Sequence, residues 1–301
     1  MNNFVLLIVC FLIGIGLRKT GRFPESTAAA FNGFIIYVSL PAISLLGIHK
    51  LKLDTTLIYS ALMPWLFFAA AVLFFWGVGK ILKLDRQSLG VLILVGGLGN
   101  TSFVGLPMIE AYYGKEFMPV GLIVDQFGSF LVLSTLGIAT ATYFSSGAVS
   151  ARMMAKKILL FPPFQALVIA FLLRPFPYPE WLLVLLQRLG DTLTPLALAS
   201  VGFQLQFSGI GGEMKALSSG LLYKLILGPA LMFVLFIFLL GASGPTMQVT
   251  IFEAGMAPMI SAGIIACEHQ LNPRLTNLMI GIGIPLSFLT LAIWHRLLLS
   301  F

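Results

Sequence analysis

The chain has 301 residues, of which 58% are hydrophobic and 10% charged, and its mean hydropathy is +1.00. A water-soluble chain carries about 25% charged residues, so a soluble domain is excluded. A nucleic-acid partner falls with it, because the basic residues behind the net charge of +7 sit in short clusters between apolar runs, as in the cytoplasmic loops of a membrane protein.

Ten apolar spans are expected, at about 3–18, 25–48, 56–81, 88–112, 117–145, 156–174, 180–207, 218–241, 246–269 and 274–299. Most reach the roughly 20 residues that a helix needs to cross the hydrocarbon core. The first has no positive charge before it, and Arg18, Lys19 and Arg22 follow it. That is the reverse of a signal peptide's charge order, so it reads as a membrane helix with its N-terminus outside. With that orientation the inside loops hold Arg18, Lys19, Arg22, Lys80, Lys83, Arg86, Arg152, Lys156, Lys157, Lys215 and Arg274. The outside loops hold Lys50, Lys52, Lys115 and Arg174, with Arg296 near the C-terminus. The excess of Lys and Arg predicts both termini outside, in a cell inner (plasma) membrane. Arg188 and Lys224 lie within spans and stay out of that count.

The two halves resemble each other. Phe23-Pro24-Glu25 after span 1 matches Tyr178-Pro179-Glu180 after span 6. Leu40-Pro41-Ala42 in span 2 matches Pro195-Leu196-Ala197 in span 7. Pro107 in span 4 matches Pro258 in span 9, and Ser129-Phe130-Leu131 in span 5 matches Ser287-Phe288-Leu289 in span 10. Each repeat has five spans, an odd number, so the second inserts upside down. The expectation is an all-α membrane protein of ten helices in two inverted five-helix repeats, residues 1–150 and 151–301, as in many secondary carriers.

Span 4 contains Gly96-Gly97-Leu98-Gly99-Asn100-Thr101-Ser102-Phe103-Val104-Gly105-Leu106-Pro107. Such a run breaks a helix, and lipid cannot satisfy the freed backbone groups, so protein or water must surround it. Glu253-Ala254-Gly255-Met256-Ala257-Pro258 does the same in span 9. Paired interrupted helices point to a midplane binding site. Half-helix N-termini there suit an anion, and Asn100, Thr101 and Ser102 add side-chain donors. The plainer reading is that the glycines permit close packing and the prolines only kink.

Asn100 to Gly114, NTSFVGLPMIEAYYG, resembles the fourth-helix signature of the auxin efflux carrier family, which includes the plant PIN auxin exporters and bacterial carriers linked to malate or malonate. Cys267 to Pro273, CEHQLNP, with Phe252-Glu253-Ala254 before it, is similar to the family's ninth-helix region, and Leu40-Pro41-Ala42 is similar too. The likeness covers the whole chain. The long cytoplasmic loop that the plant exporters carry between spans 5 and 6 is missing. The resemblance implies that helices 4 and 9 cross at their prolines with substrate beside the crossover. It makes Asn100 the asparagine that contacts a substrate carboxylate and puts Pro107 in the first crossover. In the second half Ala257 falls where the plant exporters have proline, and Pro258 follows it.

The expected substrate-binding residues are therefore Asn100, Thr101, Ser102, Gly105, Pro107, Gly255, Ala257 and Pro258. Glu253 and Asp125 are candidates for a coupled proton or sodium ion, because intramembrane acids are functional by default. Glu110 reads as structural. Arg188 and Asp191, three residues apart, are expected to pair on one helix face. Gln204 and Gln206, the three histidines (His49, His269, His295) and Trp65, Trp76, Trp181 and Trp294 read as interfacial. Cys10 and Cys267 offer neither a disulfide framework nor a metal spacing and read as packing residues. No phosphate loop, catalytic triad or metal cluster stands out, so no enzyme and no cofactor beyond a coupled ion is expected.

The reading is a secondary transporter of small organic anions, malate-like, malonate-like or auxin-like, working by alternating access in the lipid bilayer. Spans 1, 2, 6 and 7 form a scaffold, where a homodimer would also form, and spans 3–5 and 8–10 form a transport bundle. Two other readings stay open: a sodium-coupled carrier of the bile-acid-symporter type, and a membrane sensor that binds an anion without moving it.

Overall fold

The computed structural model describes residues 2–51, 54–145, 151–205 and 212–301. Lys52 and Gln206, assigned above to a loop and an interface, lie outside these residues.

Among the described residues the chain has helices as its only regular elements. In order it forms α1 (Asn2–Lys19), α2 (Thr27–His49), α3 (Thr56–Leu82), α4 (Arg86–Gly96), α5 (101–112), α6 (Lys115–Ser145), α7 (Ala151–Leu159), α8 (Pro162–Leu173), α9 (Glu180–Gln204), α10 (Met214–Leu239), α11 (Pro245–Ala254), α12 (Ile260–Glu268) and α13 (Pro273–Leu298). Six of them, α2, α3, α6, α9, α10 and α13, have 23–31 residues and are apolar enough to span a membrane. At 1.5 Å per residue they are roughly 35–46 Å long, against roughly 30 Å of hydrocarbon. The shorter apolar helices are α4 and α8. Spans 4 and 9 of the sequence reading are each divided, into α4 with α5 and α11 with α12.

The core is apolar, as in a water-soluble protein, but much of the outer surface is apolar too. Large apolar side chains such as Leu73, Ile81, Leu172, Leu239 and Ile293 are exposed, whereas Asn100, Asp125, Gln126, Lys224 and Glu253 are buried. Helices that are apolar all round belong in lipid, where polar groups gain by turning inward.

The chain divides into two compact units. The first comprises Met1–Asp54, Ser102–Leu122 and Lys156–Leu205, and the second Thr55–Thr101, Ile123–Ala155 and Gln206–Phe301. Small residues knit the first unit. A Cβ on Gly14 would strike the Ala199 carbonyl, and one on Gly202 would strike the Phe11 carbonyl, so α1 and the second half of α9 touch backbone to backbone. Arg18 Nη1 donates to the Phe203 carbonyl at 2.9 Å near the end of α9. Ser200 Oγ donates to Asn32 Oδ1 at 2.6 Å, tying α9 to α2.

The second unit is built on α3, α4, α10, α11, α12, α13 and most of α6. Wide turns interrupt several of these helices, among them Val124–Ser129 in α6 and Tyr223–Leu227 in α10. Such turns leave carbonyls short of their usual partners. Trp65 Nε1 donates to the Phe127 carbonyl at 3.0 Å and Trp294 Nε1 to the Leu225 carbonyl at 2.9 Å, both within these turns. Trp65 and Trp294 are half-buried, with their indole N–H groups donated to these carbonyls, while Trp76 and Trp181 are exposed.

Asp85 caps α4, accepting from the Ser88 N–H at 2.8 Å and from Ser88 Oγ at 2.7 Å. Partial burial works against its charge, but the Ser88 hydrogen bonds outweigh it and hold the carboxyl below the usual aspartate range.

Two consequences are measurable in detergent. Gly202→Leu drives a side chain into the backbone of α1 and should lower the unfolding temperature, with a cost of about 1–3 kcal/mol. Asp85→Ala should cost about 1 kcal/mol at neutral pH. A carboxyl with a depressed folded pKa stabilises above its unfolded value of about 3.9. The wild-type advantage over Asp85→Ala should therefore hold at neutral pH and fade as pH drops below that value.

Candidate functional site

The two helix breaks meet within the second unit. Gly99 and Pro258 face each other as a single antiparallel bridge. The Asn100 N–H donates to the Ala257 carbonyl at 2.8 Å, and the Met259 N–H donates to the Leu98 carbonyl at 3.1 Å. Pro258 has no N–H, and the bridge does not need one, because the bonds run through the residues on either side of the facing pair. Gly283 of α13 leaves room for the Pro258 ring, since a Cβ there would lie 2.6 Å from Pro258 Cγ.

The breaks run from 97 to 100 and from 255 to 259. Asn100, Gly255, Ala257 and Pro258 lie in them and are buried. Thr101 opens α5 and is buried; Ser102 is half-buried; Gly105 is buried. Pro107 is not in the break, contrary to the expectation that both prolines mark the crossover. It lies in the first turn of the regular segment Leu106–Tyr112, after the wide turn Thr101–Gly105. Within α5 it follows a wide turn, so the hydrogen-bond ladder that its missing N–H interrupts is already irregular there.

Around the paired breaks lie ionisable groups that lipid alone could not hold. Thr101 Oγ1 donates to Asp125 Oδ1 at 2.5 Å, and Gln126 Nε2 donates to Asp125 Oδ2 at 2.5 Å. Asp125 is buried on the wide turn of α6. Glu253, in the last turn of α11, is 1% exposed, and neither carboxylate oxygen has a hydrogen-bond partner among the described residues. Asp125 and Lys224 are the charged groups that act on it. Lys224, on the wide turn of α10, is also 1% exposed. Its Nζ donates to the Ala254 carbonyl at 2.9 Å and lies 4.2 Å from the centre of the Phe67 ring. A small cavity of about 10 Å³ is lined by Gly97, Gly99, Thr101, Ser129, Lys224 and Glu253 among others, which is room for about one water.

Lys224 is the residue that the sequence reading missed. Setting it aside as an outlier of the loop-charge count discarded the signal, because a lysine inside a span is itself a marker of function.

The first unit holds a separate polar group. Glu110 accepts from Thr194 Oγ1 and lies 3.6 Å from Lys115 Nζ, and Lys115 Nζ lies 2.6 Å from Asp191. Asp191 also accepts from Gln187 Nε2 at 2.8 Å. It ends the first segment of α9 and takes Lys115 and Gln187 where Arg188 was expected. His49 stacks on Tyr178 with ring centres 4.3 Å apart. Gln204 turns back onto Ser200, 3.0 Å from Nε2 to Oγ. Cys10 is buried as a packing residue, but Cys267 is exposed.

Long apolar helices, two interrupted helices paired at their breaks and charged groups buried beside them define a polytopic membrane protein of the transporter class. Over residues 1–295 the chain matches the family described as membrane transport protein. It belongs to that family: it is an auxin-efflux-carrier-like membrane transporter and not an enzyme. It is 26% identical to an uncharacterized transporter of Methanocaldococcus jannaschii, over all of this chain and 99% of that protein. It is 25% identical to an uncharacterized transporter of Methanothermobacter thermautotrophicus, over 97% of this chain and 96% of that one.

The Thr101–Asp125 contact generates a test. Thr101→Val keeps the shape and removes the donor from a buried carboxylate, which should cost about 1–3 kcal/mol. Thr101→Ser keeps the donor and should unfold close to the wild-type temperature.

Proposed function

We propose that the chain is a secondary carrier of small organic anions and that the paired breaks hold the substrate carboxylate. The observation that carries this reading is that Asn100 and the Lys224 ammonium both lie at the paired breaks, whose backbones hold each other. An anion needs donors and positive charge in a region of low dielectric. Half-helix N-termini supply N–H groups there, and a buried ammonium supplies a full charge.

The proposed layout is two inverted five-helix repeats working by alternating access, with the paired breaks carried by the second unit and the first unit as scaffold. The division of the chain into two compact units supports it, as does placement of α1, α2, α8 and α9 in the first. Residues 102–122 belong to that first unit as well, so the chain passes between the units immediately after Thr101. Hinge points in carriers are commonly a few residues at element ends. The driving force is the membrane potential on a charged substrate, worth about 2.3 kcal/mol per charge per 100 mV, or a cation coupled through Glu253 and Asp125. The loop charges support a plasma-membrane orientation with both termini outside.

The experiment is uptake of labelled malate, malonate and indole-3-acetate into proteoliposomes, wild type against Asn100→Ala. Transport of one substrate by the wild type, reduced at least about tenfold in Asn100→Ala with the fold intact, supports the site; a lost charge-assisted hydrogen bond of 1.5–3 kcal/mol is about 10- to 150-fold. Equal transport by both proteins removes Asn100 from the site. Binding of an anion without uptake favours the sensor.

A further inference from the structure

We infer that Lys224 is a built-in cation: its ammonium occupies the place that a coupling sodium ion would take, so the site works without sodium, and removing the side chain opens a monovalent-cation site.

The surroundings of Nζ are those of a bound cation. It is held by the carbonyl of Ala254, the last residue of α11, at 2.9 Å. Carbonyls at the C-terminal ends of interrupted helices carry partial negative charge and coordinate sodium in discontinuous membrane helices. The Phe67 ring presents its face 4.2 Å away, a favourable setting for an ammonium or an alkali ion. Gly99 lets the ammonium approach the first break, since a Cβ there would lie 3.2 Å from Nζ.

The counter-charges are in place as well. Glu253 is 1% exposed, lines the same cavity and has no hydrogen-bond partner on either oxygen among the described residues. A buried carboxylate left without a donor is costly, so this one is set to answer a mobile charge. Asp125 is the second acid acting on it. The other elements lining the cavity contribute Met63, Pro64, Phe67 and Ser129, none of them charged. The remaining cavity of about 10 Å³ holds about one water, so a hydrated ion cannot enter while the lysine stem is present. Lys224→Ala vacates both the stem and the charge. It leaves the Ala254 carbonyl, the Phe67 face and the Glu253 carboxylate around the space, with Asp125 acting on Glu253 from beyond the lining.

The inference deepens the carrier reading, but its test needs no substrate. The full chain is purified in detergent and its unfolding temperature is followed in sodium, potassium, methylammonium and choline chloride at equal ionic strength. Wild type should unfold alike in all four. Lys224→Ala should unfold lower in choline and recover saturably in sodium or methylammonium by roughly 3–6 °C, as expected for a ligand that binds only the folded state. Lys224→Met fills the stem's volume without its charge and should gain nothing from any cation. In proteoliposomes sodium should restore Lys224→Ala uptake and leave wild-type uptake unchanged. Saturable stabilisation of the wild type by sodium overturns the inference even if no variant folds. A folded Lys224→Ala that no cation stabilises overturns it too, and leaves the carboxylate reading standing.

Discussion

A helix interrupted inside a bilayer exposes peptide groups that hydrocarbon cannot satisfy, and most of the second unit is arranged around this constraint. The chain breaks twice, at 97–100 and 255–259, and the breaks satisfy each other through the Asn100-to-Ala257 and Met259-to-Leu98 hydrogen bonds. Neither break would be stable alone. Gly283 is small because the Pro258 ring lies against it, and Gly99 is small because the Lys224 ammonium does. The glycines of these segments thus serve the close packing of the plainer sequence reading and the break as well. The two readings describe one device.

Charge follows from the same device. Half-helix ends carry partial charges, and they make the interior of the second unit tolerable for ionisable groups elsewhere excluded. One base, Lys224, and two acids, Glu253 and Asp125, are buried there. Thr101 and Gln126 occupy Asp125, and the Ala254 carbonyl and Phe67 occupy Lys224. Of these three, Glu253 has no hydrogen-bonding partner among the described residues. A binding site benefits from a group that is poised in this way, because binding energy then goes into forming an interaction without first breaking one. The contrasting Glu110–Lys115–Asp191 group of the first unit is mutually paired and reads as structural.

The breaks were legible in the sequence because glycine, asparagine, hydroxyl residues and proline crowd into an otherwise apolar span, a composition no continuous membrane helix needs. The membrane class and the family were legible from hydropathy and from the Asn100–Gly114 signature. What escaped the sequence depends on tertiary placement. Pro107 looked like the break point because proline disrupts helices in general, yet it lies inside α5 behind a wide turn, and the break falls earlier, at 97–100. Arg188 and Asp191 have the spacing of a helical pair, but Asp191 ends its segment and Lys115 arrives from far along the chain. The partners of the Trp65 and Trp294 indoles, carbonyls within wide turns, were not legible either, because no residue pattern announces such turns. Lys224 was visible and was misjudged: counting charges for topology gives no weight to a lysine that lies in no loop.

The central claim, that the paired breaks form the transport site, is tested most directly by access. Ala257→Cys, in a background with Cys10 and Cys267 replaced by serine, is labelled in proteoliposomes with a membrane-impermeant maleimide added to one face or the other. The account predicts labelling from both faces, slowed from both by the transported carboxylate. Labelling from one face only, indifferent to every carboxylate that the protein transports, would contradict it.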